Sequence, residues 1–166
     1  MLIEKADINN HNEDVAKDHK RKLAFVAEGI DNINDILQKL IAFQIAIPSW
    51  ALGTGGTRFG RFSGGGEPRS LEEKMEDIGL LHALNQSSGA ISLHIPWDIP
   101  ENINAIKGLA VEHNLRFDAV NSNTFQDQPG QEHSYKFGSL QHVNKTVRKQ
   151  AIAHNIEVIQ HCVKLG

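Results

Sequence analysis

His94 is the one ionisable side chain inside the apolar run Ala90-Ile91-Ser92-Leu93-His94-Ile95, and Pro96, Trp97 and Asp98 follow it directly. An imidazole changes charge near neutral pH, so a histidine at a strand end can move a proton during a reaction. A carboxylate four residues on could orient its ring. A strand histidine also serves as a half-buried group bonded to a backbone carbonyl, without chemistry. Against that stands its place beside a strand-end loop, where functional residues concentrate.

Aromatic residues gather at similar places. Of the ten in the chain, Trp50, Phe59, Phe62, Trp97, Phe125, Tyr135 and Phe137 fall in three stretches that follow apolar runs, with Asn123 beside Phe125. An apolar mouth with a few polar groups is how small-molecule pockets are built. Ring faces suit the C–H surface of a sugar, and Asn, His or Asp suit its hydroxyls. The same rings could plug the end of the fold or pack a neighbouring subunit, and composition does not separate these uses.

Seven of the 14 glycines lie between Gly53 and Gly66, interleaved with Arg58, Phe59, Arg61 and Phe62. Glycine lets the backbone turn sharply, and the arginines and aromatics make a site a better reading than a flexible linker. Gly53-Thr54-Gly55-Gly56-Thr57 lacks the lysine of a phosphate-binding P-loop and does not fit dinucleotide spacing. Arg58-Phe59-Gly60-Arg61-Phe62 interleaves basic and aromatic residues as RNA-binding sheets do. With a net charge of -3, nucleic acid is not the expected partner. The nine histidines and 20 acidic residues are dispersed, and no metal-ligand cluster is legible.

The elements that must position these residues alternate. A charged helix from Asn12 to about Glu28, stopped by Gly29, precedes a second helix. That one is capped by Asp31 or Asn32, and Ile33, Ile36, Leu37, Leu40 and Ile41 give it a buried face. Strand one spans Gln44 to Trp50. Ser70 caps the next helix, with Leu71, Met75, Ile78 and Leu81 on one side. Strand two is Ala90 to Ile95, closed by Pro96. Pro100 opens a helix burying Ile103, Ile106, Leu109 and Ala110, and Leu115 to Val120 is strand three. A long helix from about His142 to Leu165 presents Ile152, Ile156, Ile159 and Val163. Strand–helix alternation predicts parallel strands with right-handed crossovers, and loops after the strands meet at one mouth.

At 166 residues the chain is long enough for one domain with a sizeable core. Hydrophobic content of 40% and charged content of 22% describe a globular protein. One cysteine, Cys162, points to a reducing cytoplasm. No secretory signal is visible, and the longest apolar run, Leu40 to Pro48, is far too short to span a bilayer.

Four motifs in order carry a family resemblance from about Phe43 onward. They are Ile47-Pro48-Ser49-Trp50 with the glycine loop, Ser92-Leu93-His94-Ile95-Pro96-Trp97-Asp98, Asn121-Ser122-Asn123-Thr124-Phe125, and Pro129-Gly130-Gln131 with His133-Ser134-Tyr135-Lys136. Together they resemble the first third of bacterial L-rhamnose isomerases of the xylose-isomerase-like barrel type. The resemblance implies an α/β chain forming an incomplete (β/α)8 TIM barrel: a helical lead-in over residues 1–42, then three parallel βα units over 43–166, in one domain. It implies aldose–ketose isomerisation, L-rhamnose to L-rhamnulose, in a homo-oligomer, a tetramer in the family. A divalent metal, commonly Mn2+, polarises the sugar's C1 and C2 oxygens. On this resemblance His94 is catalytic, assisting ring opening. Trp97 and Phe125 are pocket walls, with Trp50 and Asn123 read as substrate-binding beside them. Phe59 reaches into a neighbouring subunit's site, and Asp98 supports His94. The family's metal ligands lie on later strands, beyond Gly166, so the chain reads as an N-terminal part. The competing reading is a non-catalytic sugar-binding or protein-interaction module built on the same mouth.

Overall fold

The computed structural model describes residues 3–52 and 65–166. Over these residues the chain is α/β, with five α-helices and one three-stranded parallel sheet. The glycine-rich stretch with Phe59, Phe62, Arg58 and Arg61 lies outside the described residues.

Two helices lead in. Helix α1, Lys5–Val26, starts earlier than its charge pattern indicated, and none of its residues is buried. Exposed pairs such as Lys17–Asp14 and Lys22–Asp18 line it, where water screens them. Its tie to the rest of the fold is the Asn12 amide, which donates to the Ala83 carbonyl at 2.9 Å. Helix α2, Ile33–Ala42, has the expected apolar stripe but buries nothing: Leu40 and Ile41 are 65% and 67% exposed. Periodicity identifies a face that could be covered. Among the described residues this one is covered only in part, with Ile33 and Leu37 half-buried.

The sheet has the order β1-β2-β3, with both pairings parallel. Strand β1, Ala46–Pro48, is shorter than the apolar run around it. Pro48 has no N–H to extend the ladder, and Ser49–Ala51 tightens into one 3-10 turn. Strand β2, Ala90–Ile95, lies in the centre, and only Ser92 among its residues is less than fully buried. Strand β3, Arg116–Ser122, pairs Ile91 with Phe117 and then Ser92 with Ala119, so Asp118 is an extra residue bulged from the ladder. The bulge sets the register that puts His94 opposite Asn121.

Between the strands, helix α3, Leu71–Asn85, is capped by the Ser70 side chain, which accepts from the Glu73 N–H. Helix α4, Ile103–Glu112, is capped by Asn102, which accepts from Asn104 and Ala105, so Pro100 stands before the helix and does not open it. Leu71, Met75 and Ile78 of α3 meet Ile91 and Leu93 of β2 and Ile106 and Ala110 of α4 in the main core. Each such side chain contributes roughly 1.5–3 kcal/mol on burial. Leu81, expected in this core, is 41% exposed, and His82 is buried in its place.

Helix α5, Lys145–Leu165, begins at Asn144, whose side chain accepts from Thr146. Its buried residues are Val147, Ala151, Val158 and Leu165. The expected stripe of Ile152, Ile156, Ile159 and Val163 instead faces outward, 49% to 76% exposed. The helix carries two apolar stripes. The edge strand β3 receives the one that includes the small residue Ala151.

Candidate functional site

Beyond the C-terminal end of β2 the chain turns back on itself: the Ile95–Pro96 peptide is cis, and the Asp98 N–H donates to the His94 carbonyl at 3.0 Å. Strand alternation places Ile91 and Leu93 toward the helices and His94 on the opposite face, at the strand's end. There His94 is enclosed by rings. Trp97 stacks on it with centroids 4.3 Å apart and planes 25° apart. Trp50 meets it edge-on at 5.4 Å, and Phe125 does so at 5.6 Å. Three loops, after β1, β2 and β3, thus each supply one wall.

The imidazole is 4% exposed, and its Nε2 is buried with no partner among the described residues. Burial holds its pKa below the ordinary histidine value, because the charged form loses water. The negative charge of Asp98 opposes that effect, while His154 and Lys74 add to it. At neutral pH the ring is therefore neutral, able to accept a proton on one nitrogen and donate from the other.

Asp98 does not orient this ring directly. Its Oδ2 accepts from the His94 backbone N–H at 2.7 Å and from the Ser49 hydroxyl, and its Oδ1 accepts from Lys74 Nζ at 2.7 Å. Lys74 is 5% exposed and Asp98 1%. Sequence reasoning missed Lys74 and Ser49. The signal for Lys74 was present: a lysine three residues after Leu71 and four before Ile78 falls in phase with the buried side of α3.

Asn123 stands just past β3, 2% exposed, with neither its amide oxygen nor its amide nitrogen paired among the described residues. Its backbone N–H donates to the Ile95 carbonyl and to His154 Nε2, at 3.2 and 3.1 Å. The side chain borders a cavity of about 330 Å³ with Pro96, Gln128, Gln131, Tyr135 and His154. A buried amide without partners costs roughly 1–3 kcal/mol, so this wall is poised for a ligand offering both a donor and an acceptor. Asp127 organises the loop around the cavity, accepting from the Tyr135 N–H at 2.6 Å. Hydrogen bonds from Ser134 and Tyr135 hold its pKa below the usual carboxylate value.

The aromatic mouth is smaller than expected. Tyr135 packs with Val147 and Ala151 away from the His94 rings, and Phe137 is 80% exposed. Phe59 lies outside the described residues. Among the described residues no three His, Cys, Asp or Glu side chains converge to hold a metal ion, so these residues do not form a site for the divalent cation that the motifs imply. No helix among them is long and apolar enough to cross a membrane.

No protein-family model matches the chain. It is similar to a protein of Rhizobium meliloti named as a probable sugar isomerase, 51% identical over 138 residues, which are 83% of this chain and 31% of that protein. A protein of Mesorhizobium japonicum with the same description is 46% identical over 153 residues, 90% of this chain and 34% of its own length. The chain thus spans about a third of the length of these curated relatives.

Proposed function

We propose that the chain forms the sugar-opening side of an aldose–ketose isomerase active site, of the kind that interconverts L-rhamnose and L-rhamnulose. The observation that carries this reading is His94: a buried imidazole, neutral at neutral pH, with an unpartnered Nε2, set against the face of Trp97 and the edges of Trp50 and Phe125. The relatives' descriptions as sugar isomerases support it.

An isomerase given a cyclic sugar must first open it. The anomeric O1–H loses its proton, the C1=O bond forms as C1–O5 breaks, and O5 receives a proton. His94 serves this exchange by taking or giving the proton at one ring nitrogen. The stacked rings cover the sugar's C–H faces and exclude water. Asn123 offers its unpaired amide to a pair of hydroxyls. In the resembling family a divalent cation, commonly Mn2+, would supply the polarisation for the aldose–ketose step that follows; among the described residues no three candidate ligands converge to hold it.

The test compares an intact protein carrying this segment with its His94→Asn form, supplied with L-rhamnose and related aldoses and with manganese in excess, reading ketose formation and sugar binding separately. His94→Asn is expected to slow turnover of cyclic sugar by about 10²- to 10⁴-fold while binding persists. Sugar binding without turnover in the unaltered intact protein supports instead the non-catalytic sugar-binding module, which the open amide of Asn123 also fits. Neither binding nor turnover sinks both readings for this chain.

A further inference from the structure

We infer that Lys74 is a positioning residue for His94, acting through Asp98 and Ser49 to fix where the imidazole and its Trp50 wall stand. The inference rests on reading His94 as the proton-transfer group of the site, but its test does not read sugar chemistry.

Asp98 grips His94 at both backbone groups: its N–H donates to the His94 carbonyl at 3.0 Å, and its Oδ2 accepts from the His94 N–H at 2.7 Å. The same Oδ2 accepts from the hydroxyl of Ser49, the residue before Trp50. One carboxylate oxygen therefore sets the end of β2 and the turn after β1 relative to each other. The imidazole and the indole that meets its edge are thereby registered to a single atom. What keeps that oxygen aimed is the other one, held by Lys74 Nζ at 2.7 Å.

The burial of this group makes the assignment more than an ion pair of convenience. Lys74, Asp98 and Ser49 are 5%, 1% and 0% exposed. A lysine ordinarily keeps its ammonium in water, and a buried ion pair is commonly no more stabilising than apolar residues of the same volume. The pair supplies direction where apolar packing would not. Pairing with β1 ends at Ser92, so on that side no ladder registers the end of β2, and the aromatic walls come from separate loops; the Asp98 contacts supply that registration. The titratable groups whose charges act on the imidazole are Asp98, His154 and Lys74.

The experiment is nuclear magnetic resonance on the isotopically labelled chain, following the His94 ring signals. Stacking on Trp97 at 4.3 Å should displace them upfield in the unaltered chain. Undisplaced signals there would overturn the inference without any variant. Lys74→Met is expected to remove most of the displacement while core signals from Ile78 and Leu93 persist, and Lys74→Arg to restore a large part of it. Asp98→Asn keeps an acceptor but removes the charge that opposes desolvation, and should lower the His94 titration midpoint further. Should Lys74→Met fail to fold, Ser49→Ala and Asp98→Asn carry the same reading. A Lys74→Met chain that melts earlier but leaves the His94 signals in place would make the pair structural only. Correctly held His94 in an intact protein carrying this segment that turns over no sugar would count against the isomerase reading and leave this one standing.

Discussion

His94 shows how a single residue can be costly to the fold and useful to the site. Its pKa lies below the ordinary 6.5 because burial penalises the imidazolium, so the unfolded chain binds the proton more readily than the folded one. A depressed value contributes stability that is fully present above pH 6.5 and is lost as pH falls through the folded value. The urea midpoint of the chain is therefore expected to drop between pH 7 and pH 5 more steeply than that of His94→Asn, a difference that isolates this histidine from the other eight. Parallel pH profiles for the two proteins would mean that the imidazole is wet. The same neutrality keeps Nε2 able to accept a proton at physiological pH, whereas an imidazolium in that place could only donate.

At the scale of elements, the close contact between α3 and α4 is set by a missing side chain. A Cβ on Gly79 would stand 2.6 Å from His113 Cγ, so the helices approach as they do because position 79 has none. Gly79→Ala is expected to destabilise the chain by about 1–3 kcal/mol despite alanine's better helix propensity. Thermal melting is the measure; because His113 Cβ would itself stand 2.8 Å away, adding His113→Gly should recover more of the loss than His113→Ala. A second element-scale expectation concerns the α4 cap. The Asn102 side chain accepts from two backbone N–H groups, at 3.0 and 3.2 Å, and Asn102→Ala should cost about 1 kcal/mol in chemical denaturation. No change there would mean that the first turn of α4 is held by its core residues alone.

At the scale of the whole molecule, much apolar surface is left uncovered by the described residues. Leu40, Ile41 and Phe43 near the end of α2 are 65% to 67% exposed, and Ile152, Ile156, Ile159 and Val163 form an outward stripe on α5. Both β1 and β3 are edges of the described sheet, and parallel strands are ordinarily protected on faces and edges alike. The chain on its own is expected to self-associate at micromolar concentration, read by sedimentation velocity. Ile156→Lys together with Ile159→Glu should shift it toward monomer if the α5 stripe carries the association. A chain that stays monomeric at every concentration, with a sharp cooperative melt, would show that these faces are tolerated in water.

Several parts of this protein were determined by the sequence alone, for local reasons. Strand β2 could be read to its ends because Ala90–Ile95 is a mostly apolar run with Gly89 before it and Pro96 after it. Ser70 could be read as a cap because its hydroxyl needs only the N–H three residues on. Trp50, His94, Trp97 and Phe125 could be expected at one mouth because parallel strands deliver their following loops to the same end. Tertiary structure decided whatever depended on a distant partner. Apolar spacing on α2 and α5 shows which residues could be covered, not what reaches them, and so the buried stripe of α5 ran through Ala151 and not through Ile152. Asp98, four residues from His94, suggested a carboxylate turned to the ring. Lys74 and Ser49, 24 and 49 residues away from it in the chain, converge on it instead and direct it to the His94 backbone, a choice made by charge and burial in three dimensions.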